Sequence, residues 1–99
     1  MSMSQTDQRF ERISPVNGEL TWTGVASNPD RIQCAIDSAA KAFPIWKRLE
    51  LKERTVYLRR YADYLASHRE EIATDITLES GKPLWESRTE VSTSIAKVD

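Results

Sequence analysis

Apolar residues fall into groups along the chain, and the period changes from group to group. Leu20, Trp22, Gly24 and Ala26 alternate with Thr21, Thr23 and Val25, the two-residue period of a strand. Phe10 to Ser14 is long enough for an edge strand. Between the two, Pro15-Val16-Asn17-Gly18 carries Asn-Gly, a strong hairpin signal because both residues tolerate positive φ. A lone hairpin is marginal in water, so this one, over about 10–26, must lean on something.

Downstream the period becomes helical. Ser27-Asn28-Pro29-Asp30 offers a capping side chain, a first-turn proline and an acid near the positive end of the helix dipole. Ile32, Ile36, Ala39, Phe43 and Trp46 then step by four, three, four and three, one apolar stripe. Pro44 lies inside it. An interior proline costs about 3 kcal/mol or more and biases the preceding residue away from α. The pattern predicts a helix over about 29–43 that stops or kinks near Phe43, with Trp46 packing from the distorted end.

A second helix is predicted over about 51–66. Leu51, Leu58, Leu65 and Ile72 stand seven apart, but Arg54, His68 and Asp75 hold three of the four positions that a coiled coil needs apolar. Ser67 with Glu70 reads as a capping box that restarts a helix over 68–80. Gly81 follows the last periodic residues, where glycine closes a helix in the left-handed conformation, and Pro83 suits the first turn of the next. That last helix, predicted over 83–99, has a stripe of Leu84, Val91, Ile95 and Val98 with Trp85 at its entrance. Its serines and threonines are mediocre helix formers, so it needs tertiary packing. The pattern is still running at Asp99, which reads as a cut through a longer chain. Residues 1–9 are polar and aperiodic, the expectation for a disordered tail. The fold class is mainly α with an N-terminal β-hairpin.

Composition excludes several function classes. With 14 basic and 15 acidic residues in 99, the chain lacks the basic footprint of a nucleic-acid binder. No apolar run approaches the roughly 18 residues of a membrane span, and the N-terminus has no apolar core like a signal peptide's. One cysteine rules out an internal disulfide framework and fits a reducing cytoplasm.

No catalytic, cofactor-binding or metal-binding residue can be assigned. Cys34 lies beside the apolar stripe, near Arg31, Ser38 and Lys41, and reads as structural because the single histidine belongs to another segment. His68 reads as a solvated first-turn residue. One cysteine and one histidine give no zinc spacing. Gly81-Lys82 lacks the remaining glycine and the Ser or Thr of a phosphate loop, since Ile76 and Pro83 stand there. Gly18, Gly24 and Gly81 are too scattered for a dinucleotide turn. Trp22, Trp46 and Trp85 could form an interface or a sugar-binding surface; core or boundary packing is the expectation.

Read together, Pro15-Val16-Asn17-Gly18-Glu19, Ala39-Ala40-Lys41-Ala42-Phe43-Pro44-Ile45-Trp46, Glu53-Arg54 and Glu79-Ser80-Gly81-Lys82-Pro83 resemble, in order and spacing, the N-terminal part of an NAD(P)-dependent aldehyde dehydrogenase. The resemblance runs from about Ile13 to Asp99. Gly18-Glu19-Leu20-Thr21-Trp22-Thr23-Gly24 and Lys82-Pro83-Leu84-Trp85-Glu86, with Glu90-Val91, are similar to the branch acting on succinylglutamate semialdehyde in arginine catabolism. The usual Asn-Gly-x-Trp strand before this region is absent. The resemblance implies an N-terminal fragment of the α/β dehydrogenase fold, packed around a cofactor domain in an oligomeric, NAD-using enzyme. It also implies that the catalytic cysteine, general-base glutamate, oxyanion asparagine and glycine-rich cofactor turn lie beyond Asp99. Cys34 is then not the nucleophile, and this stretch alone is expected to bind no cofactor and to be inactive. The alternative is a small helical module that binds a protein through its aromatic and leucine stripes.

Overall fold

The computed structural model describes residues 8–99. Six elements follow in order: strands β1 (Arg9–Ile13) and β2 (Leu20–Val25), then helices α1 (Pro29–Arg48), α2 (Leu51–Ser67), α3 (Arg69–Ser80) and α4 (Leu84–Ala96). Mainly helical with an N-terminal hairpin is therefore the architecture. Of the expected tail, residues 1–7 lie outside the described residues; Arg9 opens β1, because it pairs with Val25.

The hairpin is antiparallel, with Phe10 opposite Gly24 and Arg12 opposite Trp22. Asn17-Gly18 ends a four-residue loop: the Ser14 N–H donates to the Glu19 carbonyl at 2.8 Å and the Gly18 N–H to the Ser14 carbonyl at 2.8 Å. Gly18 takes φ 75°, the left-handed value the pair favours. A bulge follows, because Ile13 pairs with Leu20 while Arg12 pairs with Trp22, leaving Thr21 as the extra residue. Phe10 and Trp22 pack with ring centroids 5.0 Å apart. The indole lies over Gly24 so closely that a Cβ there would collide with it.

α1 begins as its capping sequence suggests, with Asn28 Oδ1 accepting from the Arg31 N–H at 2.9 Å. It does not stop at Phe43. The helix runs through Pro44 to Arg48, and the Leu49 N–H closes it on the Trp46 carbonyl at 3.1 Å. Proline removes one donor and crowds one carbonyl, a local penalty that neighbouring turns can outweigh. Here the last turn gains a tertiary contact, Trp46 on Tyr57 with centroids 5.6 Å apart, and cations at the negative end of the dipole in Lys47 and Arg48.

The capping box forms at the start of α2, where Glu50 and Glu53 exchange side-chain and backbone bonds. The one expected at Ser67 and Glu70 does not. Ser67 Oγ donates back to the Tyr64 carbonyl at 3.0 Å. The Glu70 carboxylate is held by Arg88, with Nε 3.0 Å from each oxygen and Nη2 2.8 Å from Oε1. His68 is instead the one-residue joint between α2 and α3. It is half-buried rather than solvated, stacked on Tyr64 at 4.0 Å between centroids. Its Nδ1 stands 2.9 Å from the Tyr64 carbonyl, which calls for a proton on that nitrogen.

α4 starts one residue after Pro83, which serves as its N-cap, and ends at Ala96 rather than at 99. Val98 and Asp99 donate to Ile95 and Ala96 at 3.2 and 3.1 Å, the three-residue spacing that tightens a helix end. Asp99 also pairs with Arg59 of α2.

Packing is concentrated between α3 and α4, with α2 against α4 beside it. The buried apolar set is Ala62, Ala73 and Val91, with Ser87 fully enclosed among the polar residues. Small residues let these helices approach closely. Ser87 completes the α4 stripe between Leu84 and Val91, and its Oγ lies 2.8 Å from Thr77 Oγ1 of α3. The tryptophans are not core residues: Trp22, Trp46 and Trp85 are 48, 40 and 68% exposed. The whole is a slab of 47 × 43 × 15 Å, little thicker than one helix. Its radius of gyration, 18.0 Å, exceeds the about 13 Å of a compact 100-residue domain.

Candidate functional site

The corner between α3 and α4 is where the hairpin finds its support. Ser80 Oγ donates to the Ile76 carbonyl at 2.6 Å and accepts the Lys82 N–H at 3.2 Å. Gly81 takes φ 81° and returns its N–H to the Thr77 carbonyl at 2.9 Å. An L side chain in that conformation costs about 1–2 kcal/mol. The Pro15 ring of the hairpin loop lies against the corner, its Cγ 3.5 Å from where a Cβ of residue 81 would be. That is ordinary contact, so the backbone conformation carries the demand. Gly81→Ala is expected to lower stability by about 1 kcal/mol and Gly81→Asn by less, read from urea midpoints. Equal midpoints for all three would show that the corner does not need the left-handed residue.

Glu79 fastens the hairpin to α3. Thr21 Oγ1 stands 2.9 Å from Glu79 Oε1 and 3.1 Å from the Arg12 carbonyl, so one hydroxyl proton serves both acceptors. Arg12 Nε lies 3.7 Å from Glu79 Oε2. Between β2 and α3 opens a shallow cleft of about 380 Å³, lined by Glu19, Leu20, Thr21, Trp22, Asp75 and Glu79 among others. Its carboxylates face a wall with no thiol or imidazole, and Glu79 is already engaged. Among the described residues no three His, Cys, Asp or Glu groups converge as a metal site. The one hydroxyl beside a carboxylate here, Thr21 on Glu79, is shared with the Arg12 carbonyl and serves to fasten β2 to α3.

The thiol, the imidazole and the Gly81-Lys82 ammonium are dispersed. Cys34 is exposed on α1, and His68 is occupied by Tyr64 at the α2–α3 joint. Lys82 forms an ion pair with Glu90, and the hydrogen bond it donates to that carboxylate, with the charges of Glu90 and Glu86, raises its pKa. On the outer side, hydrogen bonds from Arg88, aided by the charges of Arg88 and Arg69, hold the Glu70 carboxyl below its ordinary value. A depressed carboxyl pKa gives stability that is present above the unfolded-state value and lost as pH falls through the folded one. Because Glu70 is exposed, the effect on folding is small and is better read at the residue. Arg88→Ala is expected to return the Glu70 titration midpoint, followed by NMR, upward to that of an ordinary glutamate.

Ser87 and Glu79 are tertiary anchors that periodicity misses. Ser87 was hidden by its polarity; its place three after Leu84 and four before Val91 was the available signal. Glu79 had none beyond its neighbours in Glu-Ser-Gly-Lys-Pro.

What the segment does offer is apolar surface. Ile32, Ile36 and Phe43 of α1 are 50, 56 and 58% exposed. Tyr57, Tyr61 and Tyr64 form an exposed ridge on α2. Ala42, Ile45, Trp46, Leu49 and Tyr57 line an apolar groove of about 310 Å³ where the two helices meet. Such a density of exposed large apolar groups marks a surface made to be covered.

An N-succinylglutamate 5-semialdehyde dehydrogenase of Chromohalobacter salexigens is 44% identical over 90 residues, 91% of this chain and 18% of that protein. Its namesake from Burkholderia mallei is 42% identical over the same extent. The crystal structure of an E. coli NADP-dependent enzyme superposes with a TM-score of 0.86 at 32% identity, covering 92% of this chain and 19% of that one. The chain thus spans about a fifth of the length of the proteins it matches. The profile of the aldehyde dehydrogenase family matches residues 2–99, and the chain belongs to that family.

Proposed function

We propose that this chain is the leading segment of a dehydrogenase that oxidises N-succinylglutamate 5-semialdehyde to the diacid with NAD, and that the segment itself is structural and inactive. The observation that carries the reading is the 44 and 42% identity to relatives bearing that name, along nine-tenths of the chain. The chemistry of the segment fits it: the cleft between β2 and α3 has carboxylates and an indole but no thiol or imidazole. Hydride transfer from a thiohemiacetal needs a cysteine nucleophile with a base beside it, and Cys34 stands exposed on α1 while the single histidine is stacked on Tyr64 at the α2–α3 joint. On this reading the enzyme works in the cytoplasm on an intermediate of arginine catabolism, in an oligomer. No helix among the described residues is long and apolar enough to cross a membrane.

The test has two parts. The intact mass of the native gene product is expected to be several-fold larger than 11.3 kDa, and that product is expected to reduce NAD with N-succinylglutamate 5-semialdehyde. Residues 1–99 alone are expected to produce no NADH. A native mass of 11.3 kDa, or turnover by the short chain, would overturn the reading. Preference of the native product for NADP or for another aldehyde would overturn its cofactor or substrate assignment.

A further inference from the structure

We infer that the outer edge of β1 is a self-pairing surface, on which β1 of a second copy of this chain adds antiparallel about a two-fold axis at Phe10. Among the described residues β1 has β2 as its single ladder partner, and all five of its residues, Arg9–Ile13, are exposed. The Ala26 N–H donates to the Gln8 carbonyl at 2.7 Å, so the backbone groups of Gln8, Phe10 and Arg12 turn toward β2. By the alternation of an antiparallel ladder, those of Arg9 and Glu11 turn away from it. They form an edge that another strand can bond. An open hollow of about 610 Å³ beside it, lined by Arg9, Phe10, Glu11, Ile13 and Thr23, gives such a strand room.

The charges name the occupant. Arg9 and Glu11 lie on one face of the strand, and neither belongs to an ion pair among the described residues. In a two-fold antiparallel pair, outward-facing residues must oppose one another. Centring on Arg9 or on Glu11 sets like charges face to face. Centring on Phe10 sets Arg9 of each copy opposite Glu11 of the other, so the patch complements itself, as a two-fold interface requires. Charges on an edge commonly ward off strand addition; here their sign changes across Phe10 and favours this one register. The register also brings Phe10 of the two copies together as a non-hydrogen-bonded pair, where side chains approach most closely. Each Phe10 packs on its own Trp22 with centroids 5.0 Å apart, so the aromatic row continues through the axis. Four strands in place of two remove the weakness of an isolated hairpin. The contact is independent of the catalytic reading above.

Cross-linking of the native gene product tests this. Under mild oxidation Phe10→Cys is expected to join two copies through position 10, found by mass spectrometry of the linked peptides. Glu11→Cys would face Arg9 of the other copy and is expected to link to itself far less. Adding Glu11→Arg to Phe10→Cys sets arginines opposite one another and is expected to lower the yield about tenfold. Adding Arg9→Glu as well is expected to restore it. In the unsubstituted protein, the outward amides of Arg9 and Glu11 are expected to exchange more slowly as the protein is concentrated, and Glu11→Arg to release them. Equal linkage at positions 10 and 11, a yield that ignores the charge reversals, or exchange at Arg9 and Glu11 that does not change with concentration would overturn the inference. None of these readouts uses NADH, so loss of turnover with the link intact counts against the functional reading alone.

Discussion

Replacing Val91 by aspartate is expected to unfold the α2–α3–α4 seam, seen as loss of the helical circular-dichroism signal of residues 1–99. Val91 is 2% exposed, and among the described residues it is the only buried apolar side chain larger than alanine. Truncation to alanine removes two methyl groups and leaves a small void, about 2 kcal/mol. Aspartate puts a carboxylate at a position only 2% exposed, which raises the loss to at least ~4 kcal/mol. A domain of this length has on the order of 5–15 kcal/mol of stability, and one with so small a core belongs at the low end. The substitution therefore exceeds or nearly exhausts the total. Thr89→Ala, on the exposed side of the same helix, is the control and should be neutral. If Val91→Asp retained the signal and the urea midpoint of the parent, the seam would not be what holds these helices together.

The same seam shows what a sequence can and cannot reveal about a partial fold. Helix existence was legible because stripes and caps are local: Asn28, Gly81 and Pro83 each act within one turn of their own positions. The burial of the stripes was not legible, because burial depends on what lies opposite. Ile32, Ile36 and Phe43 have the spacing of a core face and stand exposed, whereas Ser87 has the polarity of a surface residue and is enclosed. Periodicity reports that a face is destined for contact; it does not say with which molecule. The Ser67–Glu70 box failed for a related reason. A capping box competes with any stronger partner for its carboxylate, and Arg88, 18 positions away, provides three close donor–acceptor contacts. For the site, absence of a coherent catalytic group was the sequence expectation, and the family resemblance rested on two helical runs, Ala39 to Trp46 and Glu53-Arg54, and on residues of the hairpin loop and the α3–α4 corner. The loop and corner residues prove to be the fastening of hairpin to helix through Glu79, Pro15 and Gly81.

Pro44→Ala is expected to strengthen the end of α1. In the helix as it stands, Pro44 supplies no N–H to the Ala40 carbonyl and its ring crowds that carbonyl, yet the helix continues for one further turn to Arg48. That turn is held by Trp46 on Tyr57, by the Leu49 closure and by Lys47, whose ammonium lies 5.4 Å from the Phe43 ring centroid. These contacts remain in the alanine variant, while the helix regains one hydrogen bond and loses the worst helix former for the best. The propensity difference is about 3 kcal/mol in a helix interior. By the exponential relation between free energy and opening, amide exchange at residues 45–48 should slow by up to about 100-fold. The gain belongs to local opening and not to the α2–α3–α4 seam, so the global urea midpoint should move little. Unchanged or faster exchange at 45–48 would mean that proline sets the path by which Trp46 reaches Tyr57. The last turn would then owe its order to that contact alone, and Trp46→Ala should melt it back to Phe43, the boundary the sequence predicts.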